Sequence, residues 1–369
     1  MDRTALLDVA EERKHTSWAL GARAVHLLFS KQKCISTASV LAPVTWALPA
    51  HAQAPLNYLT SHGTKADRVL ALTWGVMFVS VAVVLVIAFL LVWSIWWRPG
   101  LSAPAPGSKL AVERPQSGLN WIWIGVGISS TVLLASIVWT VIVLAQTTNP
   151  PSRPGVTIEI TARQWWWQVR YLSDDSSRIF ATANEIHIPA GQPVLLHLIS
   201  GDVIHSFWVP ALSGKTDVIP GQTNEIWLQA NGPGIYRGQC AEYCGLEHAR
   251  MAFLVVAQTP ADFQHWRQNQ LQSPSQPAGI AELGMADFNT HCGGCHAVRG
   301  TDANGVLGPD LSHLMQRHTL AAGVLTNDNP NLLNWIRDPQ GIKPGAMMQA
   351  PELSSAELAR IDAYLKTLR

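Results

Sequence analysis

Cys240 and Cys244 stand four residues apart, His248 follows four further on, and Met251 three beyond that. One short loop can present all four side chains at once. Thiolates and imidazoles are soft and borderline ligands that bind copper well, and a thioether favours its reduced form. His205 lies 35 residues upstream of Cys240 on a strand-like run, so it reaches the loop only through tertiary folding. Two thiolates and two imidazoles could equally hold one tetrahedral zinc; Met251 and the residues around the ligands argue for copper. A second constellation, Cys292-Gly293-Gly294-Cys295-His296, has the C-x-x-C-H spacing that attaches c-type haem. Both thiols can form thioethers while His296 supplies an axial nitrogen, although the same spacing also occurs in zinc sites. Four of the five cysteines thus fall in two tight pairs, the mark of metal or cofactor chemistry rather than a disulfide framework. Cys34 stands alone, with no lipidation pattern before it.

The elements that position these residues include a membrane. Of 369 residues 48% are hydrophobic and 14% charged, and the mean hydropathy is +0.12. A net charge of +1 offers no bulk attraction for nucleic acid. The runs 69–97 and 119–145 contain no charged residue, and each exceeds the ~20 residues that cross ~30 Å of hydrocarbon. Tryptophans at 93, 96, 97, 121 and 123 cluster where an interface belongs. The intervening loop carries Arg98, Lys109 and Arg114 against Glu113, which places it in the cytoplasm and both flanks outside. Residues 1–52 read as a targeting segment, with Ala50-His51-Ala52 as an A-x-A cleavage site before Gln53.

Beyond Asn149-Pro150-Pro151 the pattern changes to short β-rich runs at 156–160, 186–188, 194–199, 225–229 and 253–257, separated by Gly and Pro turns. Such spacing suggests a sandwich or barrel over 150–272. Ser273-Pro274-Ser275-Gln276-Pro277 reads as a linker. Helical patterning then resumes, clearest over 354–368, where Leu358, Ile361, Leu365 and Leu368 recur at three- and four-residue steps. Residues 273–369 therefore form a linker and a small α-domain, and 53–149 an N-terminal segment and helical hairpin.

The segments Asp202–Phe207, Lys215–Gly221 and Gly238–Met251 resemble subunit II of the haem–copper oxidases, over roughly residues 55–270. That resemblance implies a cupredoxin-like Greek-key barrel in which two cysteines bridge a mixed-valence copper pair. The matching ligands are His205, Cys240, Cys244, His248, Met251 and the backbone carbonyl of Glu242. The Glu242 carboxylate would bind magnesium shared with subunit I. In Gln164-Trp165-Trp166-Trp167 the resemblance makes Trp165 the residue that receives electrons from cytochrome c, whereas Trp166 and Trp167 equally suit a strand packed under the barrel. Gly308-Pro309-Asp310-Leu311 and Lys343-Pro344-Gly345-Ala346-Met347-Met348 resemble class I cytochromes c. The family spacing selects Met348 as sixth ligand, with Met347 as the fallback, and Met–His ligation raises the haem potential. His187 and His197 match no ligand position and read as structural; His313 and His318 read as surface helix positions.

Two positions depart from the pattern: Gln222 stands where an arginine is common after Pro-Gly, and Asn120 lies near where many members carry a glutamate before the second helix. These leave electron transfer intact and bear on proton uptake. The expectation is a multidomain membrane protein, with a two-helix transmembrane hairpin, an all-β copper domain and a small all-α cytochrome c domain. It would be subunit II of a caa-type, proton-translocating cytochrome c oxidase in a bacterial inner membrane, multi-pass, with both redox domains outside. Electrons from cytochrome c or a cytochrome-reducing complex would pass through haem c and the copper pair to subunit I, among other oxidase subunits. Oxygen chemistry belongs to that partner, since neither apolar run contains a histidine. The alternatives are the copper subunit of a membrane nitric oxide reductase and a stand-alone tethered electron carrier.

Overall fold

The computed structural model describes residues 56–97 and 116–369. The expected leader over 1–52, Cys34 and the basic loop with Arg98, Lys109 and Arg114 lie outside the described residues. Helices α1 (Thr64–Trp96) and α2 (Gln116–Thr148) are 33 residues each. At 1.5 Å per residue each spans ~50 Å, more than the hydrocarbon thickness of ~30 Å. Both run past their charge-free stretches, α1 beginning with the polar turn Thr64–Arg68. In their most apolar windows 0% of α1 and 6% of α2 is buried, so these are not the core helices of a soluble domain. Both helices are long and apolar enough to cross a membrane, and their apolar surface is largely exposed. The start of α1 and the end of α2 meet the same β-domain. Asn231 Nδ2 donates to Asp67 Oδ2 at 2.8 Å, and Trp227 Nε1 donates to the Thr147 carbonyl at 3.0 Å.

That β-domain is a sandwich of two five-stranded sheets. One is ordered β3 (Phe180–Ala183), β2 (Trp166–Leu172), β1 (Thr157–Arg163), β5 (Val194–Ser200), β8 (Thr223–Leu228). The other is ordered β4 (Glu185–Pro189), β10 (Ala252–Gln258), β9 (Gly234–Cys240), β6 (His205–Trp208), β7 (Thr216–Val218). The pairs β1–β5 and β4–β10 are parallel and the rest antiparallel. Strict alternation in β1 and β5 turns Ile158, Ile160, Leu196 and Leu198 into the core. Trp167 lies fully buried among them, edge-on to Phe253 and Phe207 at centroid distances of 5.1 and 5.9 Å. This is the hydrophobic-strand reading of Trp167.

Helix α3 (Pro260–Gln270) closes one end of the sandwich; its Trp266 stacks on His187 at 4.0 Å. The C-terminal domain holds α4 (Ile280–His291), α5 (Asn329–Arg337), the short α6 (Pro339–Ile342) and α7 (Ser355–Leu365), with a two-stranded hairpin, β11 (Thr319–Leu320) and β12 (Leu325–Thr326), that the helical pattern did not announce. A capping box between Ser354 and Glu357 starts α7, and its apolar stripe buries Ile361 and Leu365 against Phe288 of α4 and Leu332 and Ile336 of α5. The crossing of α4 and α7 is closest at Gly284, where an added Cβ would lie 1.9 Å from the Arg360 carbonyl oxygen. That neighbour is backbone and cannot turn aside. Gly284→Ala therefore destabilises the domain by about 1–3 kcal/mol through overpacking. Thermal unfolding followed by circular dichroism reads this directly, and an unchanged midpoint contradicts so close a crossing.

Candidate functional site

Three adjacent strands assemble the first site. His205 opens β6, Cys240 ends β9, and Met251 immediately precedes β10. Phe207 pairs with Cys240 and Gln239 with Ala252, while Cys240 N donates to the Met251 carbonyl at 3.0 Å. The intervening loop folds back through a 3-10 turn, His248–Arg250, so that its polar atoms converge. Cys240 Sγ lies 3.7 Å from Cys244 Sγ, 3.9 Å from His205 Nδ1 and 3.2 Å from the Glu242 carbonyl. Cys244 Sγ lies 3.5 Å from His248 Nδ1 and 3.8 Å from Met251 Sδ. His205 and Met251 are fully buried, and both cysteines nearly so. The five side chains and one carbonyl picked out by spacing and resemblance thus gather around the two cysteine sulfurs.

The protonation chemistry of this cluster suits a cation. The hydrogen bond with Cys244 outweighs burial, which acts the other way, and together with the hydrogen bond with His205 it holds the Cys240 thiol well below its ordinary pKa. The same Cys240 contact, followed by burial, pushes Cys244 up. Two sulfurs this close do not both ionise without positive charge beside them, and a metal cation held by these residues would remove the conflict. Asp202 Oδ1 accepts from His205 Nε2 at 2.7 Å, turning Nδ1 toward sulfur. Burial opposes charge on His205, but Asp202 and Cys240 outweigh it and its pKa is raised. The Glu242 carboxylate is 43% exposed and 3.6 Å from Lys215 Nζ, on the rim of the site.

The second site is a cavity of 420 Å³ in the C-terminal domain. Cys292, Cys295 and His296 line it together with Leu311, Leu332 and Ile361. The helical end of α4 passes into a tight turn in which Cys295 N and His296 N both donate to the Cys292 carbonyl. His296 Nδ1 donates to the Pro309 carbonyl at 2.8 Å, which leaves Nε2 for the cavity. Largely apolar walls, two thiols and one oriented imidazole fit a covalently held haem. Met347 and Met348 both line the cavity, Met347 at 70% exposure and Met348 half-buried.

Gln164, Trp165 and Trp166 complete the wall of that same cavity from the β-domain side. Trp165 is 9% exposed, and its Nε1 donates to the Cys244 carbonyl at 2.9 Å. One indole therefore touches the cysteine loop and faces the C-x-x-C-H cavity. His187 is buried, with its Nδ1 3.0 Å from Gln258 Oε1, and burial first of all lowers its pKa to about 4. His197 lies 3.4 Å from Glu225; among the described residues neither histidine joins the group able to hold a metal. His313 corrects the surface-helix expectation: it is 5% exposed, with its ring nitrogens at the carbonyls of Arg369 and Gln272. His318 is exposed but sits in a bend before β11, its Nδ1 2.9 Å from Glu185.

Residues 156–258 match the family of the cytochrome c oxidase subunit II periplasmic domain, and 281–369 match the cytochrome c family. Cytochrome c oxidase subunit 2 of Alkalihalophilus pseudofirmus is 39% identical over 58% of this chain and 61% of its own length. The Bacillus subtilis subunit 2 is 31% identical over 64% of this chain and 70% of its own. The chain belongs to the cytochrome c oxidase subunit II family. It spans 61% and 62% of the length of two of these relatives, from A. pseudofirmus and Bacillus sp. PS3. Among solved structures, the periplasmic domain of Bradyrhizobium japonicum cytochrome oxidase subunit II is 29% identical over 32% of this chain and 95% of that one, with a TM-score of 0.30. The subunit II domain implies a dinuclear copper centre and the cytochrome c domain implies haem.

Three residues of this family member contribute in ways the motifs did not signal. Asp202 precedes His205 by three and orients it; that spacing was open to reading. Gln164 Nε2 donates to the Cys244 carbonyl at 2.7 Å, beside the Trp165 bond to the same oxygen. Lys343 Nζ reaches from the cytochrome domain to the Trp165 carbonyl at 2.7 Å. Both contacts join residues at least 80 positions apart, and no local pattern marks them.

Proposed function

We propose that this chain is subunit II of a caa-type cytochrome c oxidase, accepting electrons at a covalent haem c and passing them through a dinuclear copper centre to subunit I. The observation that carries this reading is Trp165, which lines the C-x-x-C-H cavity and hydrogen-bonds the Cys244 carbonyl. His205, Cys240, the Glu242 carbonyl, Cys244, His248 and Met251 would hold the copper; Cys292, Cys295, His296 and Met348 would hold the haem. When bound, copper and haem supply reversible one-electron sites.

The protein's part is to keep both sites still. Asp202 fixes the His205 ring, and the buried loop excludes water from the two sulfurs. Trp165 and Gln164 tie the Cys244 carbonyl to the wall facing the haem cavity. The Glu242 carboxylate lies on the open rim, where it would contact magnesium shared with subunit I. No nucleophile–base pair is required, because the chain relays electrons and leaves oxygen reduction and proton translocation to its partner.

The domain order would be a leader over 1–52, an anchor over 53–149, a copper domain over 150–272 and a linker with cytochrome domain over 273–369. Both helix ends that meet the β-domain support an outer, periplasmic position for it, with residues 98–115 on the cytoplasmic side of an inner membrane. Purification in detergent tests the assignment: we expect a large polytopic haem-bearing partner and oxygen uptake driven by reduced cytochrome c. A complex that consumes nitric oxide but not oxygen makes this the reductase's copper subunit instead. A chain that purifies with no haem-bearing partner makes it a tethered carrier.

A further inference from the structure

Lys343 is 3% exposed, and its ammonium donates to three backbone carbonyls: Trp165 at 2.7 Å, Arg250 at 2.9 Å and Ala321 at 3.1 Å. An ammonium has three donors, so all are used. Two acceptors belong to the β-domain and one to the cytochrome domain. Lys343 makes no ion pair among the described residues. A buried charge whose hydrogen bonds all go to carbonyls is costly unless every donor is satisfied, and here the satisfied geometry spans two domains. Burial lowers its pKa to about 8, and the Glu247 carboxylate opposes that shift.

The acceptors are placed to matter. Arg250 lies between His248 and Met251 on the cysteine loop, and Trp165 holds the Cys244 carbonyl through its own indole. On the cytochrome side Lys343 belongs to a rigid turn. Its N donates to the Pro339 carbonyl at 2.8 Å, and Gln340 Nε2 donates to the carbonyls of Ala346 and Met348 at 2.7 and 2.8 Å. Gly345, at φ +81°, supplies the left-handed backbone of this turn, which lies beside the Trp165 ring. Arg250 Nη1 adds a bond to the Ile342 carbonyl at 2.6 Å.

We infer that Lys343 is a positioning residue that pins the methionine-bearing turn of the cytochrome domain onto the cysteine loop and Trp165, and so sets the haem-to-copper separation. This rests on the two sites read above as haem and copper. Lys343→Met keeps the length of the side chain and removes its charge and all three bonds, leaving three interfacial carbonyls unpaired. Loss of a charge-assisted contact of this kind lowers the docked-to-undocked ratio by about tenfold or more.

The test uses the full-length protein. K343M is expected to retain the haem-stained band, the haem potential and the copper near-infrared band, while haem-to-copper electron transfer after pulsed reduction slows about tenfold. Lys343→Arg, which keeps charge and donors, restores most of the rate. A K343M rate within twofold of the unmodified protein overturns the inference. A second readout needs no variant: in the native protein Lys343 acetylates at least tenfold more slowly than Lys215, which is 52% exposed. Equal labelling overturns the inference even if K343M fails to mature. Absence of haem stain or near-infrared band from the unmodified protein would instead refute the reading of the sites.

Discussion

Cys240→Ser is expected to abolish the copper-dependent near-infrared absorption while the haem c spectrum persists. Cys240 Sγ is the atom on which the cluster closes, within 3.9 Å of Cys244 Sγ, His205 Nδ1 and the Glu242 carbonyl. A hydroxyl in its place is a hard, protonated donor at neutral pH and cannot share charge with a second sulfur across a copper pair. The haem cavity shares no ligand with this cluster, so haem content serves as an internal control for folding. Near-infrared absorption and copper analysis of the purified variant decide the matter. A band of unchanged position and intensity refutes the copper assignment.

The second large effect lies in the other domain. Replacing both Cys292 and Cys295 by alanine removes the haem stain from a denaturing gel and lowers the intact mass by one haem, while the near-infrared band remains. The reason is geometric as well as chemical. Both thiols stand on the wall of the cavity at the end of α4, and Phe288, Leu332 and Ile361 surround it. Without a covalent occupant that cavity opens in the middle of a small core, and a domain of this size is marginal when its core is incomplete. We therefore also expect the cytochrome domain of the variant to be digested by protease more readily than the β-domain. Haem that stays bound through denaturation in the double variant would exclude thioether attachment at this motif.

Much of this architecture is written in local pattern. The charge-free runs at 69–97 and 119–145 became α1 and α2, extended at their polar ends because a helix does not stop where hydrophobicity does. The β-rich runs at 156–160, 186–188, 194–199, 225–229 and 253–257 correspond to β1, β4, β5, β8 and β10, whose burial alternates or runs continuous. Strands β3, β7 and β9 were not legible. Gly234–Cys240, for example, mixes glycine, arginine and glutamine with no clean period, and it is a strand because β6 and β10 flank it. His313 misled for a related reason: nothing local says that a histidine will meet the backbone carbonyl of a residue 56 positions away.

By itself the sequence determined which atoms are available for chemistry: two thiols, a thioether and an imidazole on one loop, a C-x-x-C-H turn, and two spans for a bilayer. Such features depend on spacings of three or four residues, which backbone geometry converts directly into shared faces and shared loops. Only the tertiary structure decided how those atoms are used together. It set His205 against a loop 35 residues away, aimed it with Asp202, and brought Lys343 to the carbonyl of Trp165 across 178 residues. Those contacts arise from the pairing of β6 with β9 and the seating of one domain on another. Non-local pairing of that kind leaves no period in the chain, because each partner is selected by the surface it meets rather than by its neighbours in sequence.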